Sequence, residues 1–215
     1  MLNYRRVSKL LSLMLRHRSD EFGLSMDQYG FVPVAEVGEA VHDRHDDLGE
    51  EDVRNLVADP GQHRFEIVDD RIRALYGHSF FIEMDGEPAE PPERLYLWCS
   101  AAEARRFRSG GVVPVDRSYV HLSLSRDAAE ARSRRVDAPC VVEVLAREAH
   151  AAGVAFYLRG EVILTTEVPV DFVGEISGLE GAPSGASASR PGADDRQPTE
   201  PPAFGRRMRR ATRYP

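Results

Sequence analysis

The sequence predicts a mixed α+β chain of two lobes followed by a tail that builds no core, and three observations predict it. Apolar residues near the N-terminus recur with a helical period and give way to a hairpin pattern. An acidic, proline-rich stretch at 82–93 then interrupts the chain. Beyond it the pattern is a series of short strands with few helices. At 215 residues the chain can hold one medium domain or two small lobes, either with a real interior.

Val7, Leu10, Leu11, Met14 and Leu15 follow the i, i+3, i+4, i+7, i+8 spacing of an amphipathic helix over residues 4–17. Pro33 can open a second helix, and residues 48–58 read as a third, stopped by Pro60-Gly61. Residues 65–68 and 72–75 read as two strands around an Asp69-Asp70 turn. Helices followed by a hairpin give a winged-helix-like lobe over residues 1–81. Residues 82–93 form a linker, because proline cannot donate to a ladder and restricts its predecessor. In the second lobe, 94–176, strands are expected at 94–98, 118–123, 139–145, 155–158, 161–165 and 171–176. Short helices are expected near 101–108 and 126–134. From Ser177 onward Gly, Ala, Ser, Pro and charge dominate, so 177–215 is expected to be a disordered tail. Its Arg206-Arg207-Met208-Arg209-Arg210 cluster reads either as a solvated basic tail or as a non-specific RNA contact. There is no internal repeat.

A formal net charge of −7 excludes a protein that coats nucleic acid through its overall field, so any such contact must come from a local patch. No acidic residue precedes Asp20, whereas Arg5, Arg6, Lys9, Arg16 and Arg18 all do. Lys9 is the only lysine, which makes arginine the default cation here and each arginine a weaker sign of phosphate recognition. Cys99 and Cys140 fit neither a disulfide framework nor a zinc pattern and read as reduced core thiols of a cytosolic protein. No signal peptide or bilayer-spanning stretch is present, so a soluble cytoplasmic chain without a membrane partner is expected. Nothing calls for an obligate assembly, and a monomer is expected.

Several clusters could carry chemistry. Arg16-His17-Arg18 lies where the first helix ends. Cations there are favoured by the helix macrodipole by about 0.3–1 kcal/mol, or they form a phosphate cradle of guanidinium and imidazole donors. Arg71 and Arg73 share one face of a strand, a solvated face or a binding one, and Gly77-His78-Ser79 reads as a turn of close backbone approach. His121 and Ser123 share a side of the strand Tyr119-Val120-His121-Leu122-Ser123. Arg132-Ser133-Arg134-Arg135 is a basic run before a buried strand. No Gly-rich phosphate loop, nucleophile elbow or H-E-x-x-H is present. His42 and His45 have helical ligand spacing, but the charge around them reads as an exposed loop and no metal is expected. A winged-helix DNA regulator needs a basic recognition helix, and Glu50-Glu51-Asp52 opens the third helix instead.

The order of these blocks is more specific than any one of them. Ser8-Lys9-Leu10-Leu11-Ser12-Leu13-Met14-Leu15-Arg16-His17 comes first, then Gly30-Phe31-Val32. Ile72-Arg73-Ala74 with Gly77-His78-Ser79 follows, then His121-Leu122-Ser123, and finally Arg135 ahead of Pro139. From about Ser8 to Val173 the chain resembles the NAD-dependent RNA (tRNA) 2′-phosphotransferases, enzymes of RNA processing and tRNA splicing. The resemblance implies a winged-helix RNA lobe joined to an ADP-ribosyltransferase-like NAD lobe, with RNA bearing a 2′-phosphate as partner, NAD as co-substrate and no metal. It implies a catalytic tetrad at Arg16, His17, Arg73 and Arg135, and NAD contacts at Tyr96, His121, Leu122 and Ser123. The implied reaction has two steps. The RNA 2′-phosphate attacks the nicotinamide ribose and releases nicotinamide. The ribose 2″-hydroxyl then expels the RNA, leaving ADP-ribose 1″,2″-cyclic phosphate. Guanidinium donors suit the charge that builds on the phosphate oxygens.

The NAD side departs from the family pattern. Where the family reads Leu-Tyr-His-Gly-Thr, this chain reads Leu95-Tyr96-Leu97-Trp98-Cys99, which places an indole where backbone approaches the ligand. The family's Asn-Gly-Val-Trp-Leu-Thr is Gly160-Glu161-Val162-Ile163-Leu164-Thr165 here. Two alternatives therefore stand beside the transferase. One is a member that binds RNA phosphate but turns over weakly. The other is an ADP-ribosyltransferase acting on a different phosphorylated acceptor.

Overall fold

The computed structural model describes residues 4–133 and 139–179. Helix α1, Tyr4–Arg16, buries Val7, Leu11, Met14 and Leu15 on one stripe, as the spacing requires. A short strand β1, Val32–Pro33, runs straight into α2, Val34–His42, with Pro33 at its N-cap position. Helix α3, Glu50–Ala58, is closed at its start by the Asp52 carboxylate, which accepts the Gly49 N–H at 2.8 Å. Strands β2, Phe65–Val68, and β3, Arg71–Ala74, form an antiparallel hairpin. Its two turn residues, Asp69 and Asp70, have φ of 47° and 59°, the left-handed pair that a two-residue hairpin needs. β1 adds to the far side of β3, giving the order β1-β3-β2. The helices and this sheet share one apolar core that includes Leu11, Met14, Val37, Val53, Phe65 and Ile72.

The second sheet has six antiparallel strands in the order β7-β8-β5-β4-β6-β9. These are β4 Leu95–Cys99, β5 Val120–Ser123, β6 Cys140–Val144, β7 Tyr157–Arg159, β8 Val162–Thr165 and β9 Val173–Ser177. Helices α4, Ala101–Gly110, α5, Arg126–Ser133, and α6, Ala146–Ala151, complete it. Ser100 and Glu103 cap α4 reciprocally: the Ser100 Oγ accepts the Glu103 N–H and the Glu103 carboxylate accepts the Ser100 N–H. Leu95, Leu97, Leu122, Val142 and Phe107 lie in its core. The chain is thus α+β, with two antiparallel sheets and six α-helices among the described residues.

The sequence did not indicate β1 or α6, both too short for a periodicity to register. The strand expected at 118–123 begins at Val120. Tyr119 stands before it, buried, with its hydroxyl donating to the Ile82 carbonyl at 2.8 Å. The two cysteines, distant in sequence, are direct cross-strand neighbours: Cys99 pairs with Cys140, both buried and neither in a disulfide.

Residues 82–93 hold no helix or strand but are fixed at both ends. The Glu83 N–H donates to the Gln28 carbonyl and the Ala89 N–H to the Phe156 carbonyl, each at 2.7 Å. Between them Asp85 accepts from Arg73 at 2.8 Å and from Arg159 at 2.6 Å. A third apolar cluster of Ile82, Tyr119, Val162 and Leu164, flanked by Tyr76 and Phe80, fills the junction between the sheets. The end of α1 and the Tyr76–Ser79 turn are thereby held against residues 117–121. Among the described residues no helix is long and apolar enough to cross a membrane. The tail expected to be disordered and its arginine cluster lie outside the described residues, apart from 177–179, where β9 ends at Ser177.

Candidate active site

α1 stops at Arg16, where the His17 and Arg18 N–H groups both turn back to the Leu13 carbonyl at 3.2 and 3.0 Å. The Arg16 guanidinium lies over two rings, 5.5 Å from the centroid of Phe65 and 4.9 Å from that of Tyr76. Its Nε and Nη2 are buried and have no hydrogen-bond partner among the described residues. Burial pulls its pKa down to about 10; Tyr76 opposes the shift, and Arg117 and Arg64 reinforce it. A dehydrated cation with idle donors is costly unless an anion meets it. This is a site prepared for an oxyanion.

The next residues fix the surroundings. The Ser79 N–H and hydroxyl both donate to the Arg16 carbonyl, at 2.9 and 3.2 Å. With its own proton so used, the Ser79 Oγ accepts from His17 Nδ1 at 3.1 Å, which assigns the proton to Nδ1 and leaves Nε2 for a ligand. Burial holds the His17 pKa below its usual value, with Arg117, Arg16 and Arg18 adding to the effect. Gly77, at φ +93°, is where two guanidiniums meet: a Cβ there would stand 2.8 Å from Arg117 Nη1 and 3.4 Å from Arg16 Nη1. The close approach that Gly77-His78-Ser79 announced in the sequence is therefore an approach of arginine side chains.

His78 is buried among the same cations, and its Nε2 has no partner among the described residues. Burial, then Arg16 and His17, press its pKa to about 3. A histidine whose folded pKa is depressed gives stability above its unfolded value of 6.5, and that stability is lost as the pH falls towards the folded value. Unfolding free energy is accordingly expected to drop by about 1.4 kcal/mol per pH unit below about 6.5. The slope should become shallower in His78→Gln, with the lowered His17 supplying what remains, as measured by denaturant unfolding across that range.

Arg73 reaches this group only at its edge, beside His78. Its guanidinium sits 4.2 Å from the Phe31 ring centroid and is held by Glu66 at 2.6 Å and Asp85 at 2.8 Å. Glu66 is its direct partner across the β2–β3 hairpin. These two carboxylates tie β3 to the 82–93 segment, and Arg73 also acts electrostatically on His78. Arg135 lies outside the described residues, which omit 134–138. Arg117 acts on both Arg16 and His17, Arg64 on Arg16, and Arg18 on His17. Arg64 also lines, with Arg5, Arg6, Ser8 and Lys9, a groove of about 980 Å³ beside α1.

A second cavity, of about 470 Å³, opens where the large sheet splits. β4 and β5 are in register at one position, Tyr96 opposite Ser123, whereas β4 and β6 pair along five. Beyond that single pair the strands part, and Leu97, Trp98 and His121 line the gap with Tyr76, Arg117 and Arg132. His121 Nδ1 donates to the Tyr119 carbonyl at 2.9 Å. Of the other residues expected to contact NAD, Tyr96 lies under Arg126, 5.7 Å from its ring centroid, and does not line the cavity. Leu122 is in the core. Ser123 is buried and accepts from Arg132 at 3.3 Å, so it acts on the cavity through that arginine. His42 and His45 are engaged elsewhere, with the Leu48 carbonyl and the Arg6 guanidinium.

Residues 3–167 match the family described as RNA 2′-phosphotransferase, Tpt1/KptA. Over 176 residues, 81% of this chain and 95% of the relative, it is 34% identical to a probable RNA 2′-phosphotransferase of Rhizobium rhizogenes. A protein of the same name from Thermococcus kodakarensis is 35% identical over 79% of this chain and 95% of its own. The chain belongs to the RNA 2′-phosphotransferase, Tpt1/KptA family. In this Tpt1/KptA member two cations of the cluster, Arg64 and Arg117, escaped the sequence reading. Each stands just before a strand, in His63-Arg64-Phe65 and Asp116-Arg117-Ser118, where an arginine in an arginine-rich chain looks like a solvated loop residue. The one available signal was position: Arg117 lies four residues ahead of His121.

Proposed function

We propose that the chain removes a 2′-phosphate from RNA and transfers it to the ADP-ribose part of NAD. The observation that carries the reading is the buried Arg16 guanidinium with two idle donors, surrounded by His17, Arg64 and Arg117. These four side chains form the cradle for the 2′-phosphate. Fixed guanidiniums cost no reorganisation as charge gathers on the phosphoryl oxygens, and water exclusion strengthens them. His17, neutral in the free protein, gains a reason to hold a second proton once a phosphate dianion sits beside it. The groove lined by Arg5, Lys9 and Arg64 tracks the RNA backbone away from the cradle.

The split between β4 and β5 fits NAD. Its volume of about 470 Å³ lies within the roughly 300–1,000 Å³ of small-molecule sites. Tyr76 and Trp98 offer ring faces, and Arg117 and Arg132 offer donors to a pyrophosphate. When bound, NAD supplies the acceptor ribose, and the bond to nicotinamide is the one broken. Arg117 belongs to both the cavity and the cradle, which joins the two substrates at one guanidinium. Residues 1–81 then act as a winged-helix-like RNA lobe and 94–176 as an ADP-ribosyltransferase-like NAD lobe, with 82–93 strapped between them. A cytoplasmic monomer working without a metal completes the reading.

A 2′-phosphorylated oligonucleotide incubated with labelled NAD should release nicotinamide and yield ADP-ribose 1″,2″-cyclic phosphate. Oligonucleotide binding without nicotinamide release would contradict the proposal. It would support a second reading, a phosphate-binding member with weak NAD use, which the half-buried Trp98 in the cavity wall favours. Because Leu97 and Trp98 both narrow the split, the double change Leu97→His and Trp98→Gly is expected to tighten NAD binding about tenfold, roughly the 1.4 kcal/mol of a removed steric obstacle. Calorimetric titration with NAD reads this directly, and unchanged affinity would contradict the assigned cavity.

A further inference from the structure

We propose that the exposed ring of Phe81 is a stacking platform for an RNA base beside the 2′-phosphate. The inference rests on the phosphate cradle described above and adds to it a contact with the base.

Phe81 is 71% exposed, the most exposed large apolar side chain among the described residues. A single exposed phenylalanine needs no explanation in general. Here three features distinguish it. The ring is held from behind: it stacks on Tyr119 at 6.1 Å with 28° between planes, and Tyr119 is itself buried and bonded to the Ile82 carbonyl. The backbone is pinned just before the ring, by Ser79 to the Arg16 carbonyl and by the Ser118 hydroxyl to the Phe80 carbonyl at 2.6 Å, and just after it at the Ile82 carbonyl. The ring therefore stays in solvent on a rigid support and does not fold away.

The third feature is position. Phe81 borders a cavity of about 460 Å³ that also contains His17 of the cradle and its partner Ser79, together with Met26 and Ile82. The charged groups in that wall are Asp20, Asp27 and Arg18; Arg71 pairs with Asp27 at 2.8 Å and Glu21 with Arg18 at 3.2 Å. An apolar floor with a rim of mixed charge accepts the face of a base and the polar groups on its edge. A nucleotide whose 2′-phosphate lies at His17 has its own base or its neighbour's within reach of this cavity, and aromatic stacking is the usual way proteins hold unpaired bases.

The test uses binding to the full chain without NAD. A 2′-phosphorylated trinucleotide is titrated into wild type, Phe81→Ala and Phe81→Trp, alongside versions made abasic at each position in turn. Phe81→Ala should weaken binding of the intact trinucleotide about tenfold or more, the size of one base–aromatic stack, and Phe81→Trp should restore it. One abasic position should weaken wild type equally and abolish the further effect of Phe81→Ala. Binding within twofold of wild type for Phe81→Ala, or the same loss against every abasic version, would overturn the platform. Ring-dependent binding with no nicotinamide release on adding NAD would support the platform while contradicting the proposed reaction, so the two fail separately.

Discussion

Replacing Arg16 by alanine is expected to slow 2′-phosphate transfer about a hundred- to a thousandfold, or about 2.7–4 kcal/mol in the barrier, the loss typical of one preorganised oxyanion donor. The size of the effect follows from the side chain's situation. Its donors are already stripped of water and unpaired, so the phosphate meets a cation that needs no desolvation at the moment of reaction. Stability should move the other way or little. Removing a buried, uncompensated cation relieves a desolvation cost, although Phe65 and Tyr76 lose the group that lies over them. Single-turnover rates together with a melting temperature separate the effects: a slow enzyme that melts no earlier is expected, and a slow enzyme that merely unfolds is not.

The second large effect is a contrast between two arginines. Arg117→Ala is expected to match Arg16→Ala in turnover and also to weaken NAD binding, because its side chain serves both the cradle and the split between β4 and β5. Arg73→Ala should do the reverse. It removes charged hydrogen bonds to Glu66 and Asp85, costing about 1.5–3 kcal/mol of stability. Transfer should stay within a few-fold at a temperature where the variant is folded. Turnover abolished in Arg73→Ala and retained in Arg117→Ala would return the phosphate to β3 and reverse the assignment made from the structure.

That contrast also marks where the sequence stopped being informative. Helix α1 was legible to within a residue because its apolar stripe repeats over two full turns, and the hairpin was legible because Asp69-Asp70 separates two apolar runs. Arg16 and His17 could be named from their block, but only the structure shows a guanidinium between two rings with its Nε and Nη2 unpartnered. The ion pairs of Arg73 were not legible, for a physical reason. Alternation puts it on a defined face of β3 but does not reveal that Glu66 lies directly across and that Asp85 folds back from the 82–93 segment. Arg64 and Arg117 belong to loops, where no periodicity exists to say what a side chain faces. Tyr96 was expected in the NAD site with the rest of the Leu95–Cys99 strand, yet it sits at the one position where β4 still pairs with β5, and it is Leu97 and Trp98, beyond that pair, that border the split.

The account depends on a phosphate meeting Arg16. Its most direct test is the ratio of affinities for one oligonucleotide with and without the 2′-phosphate, measured by titration in wild type and in Arg16→Ala. Wild type is expected to prefer the phosphorylated strand by about a hundredfold, in keeping with charge-assisted bonds worth some 1.5–3 kcal/mol each, and Arg16→Ala to lose most of that preference while binding the unphosphorylated strand as before. An Arg16→Ala protein that is folded and still discriminates as well as wild type would contradict it.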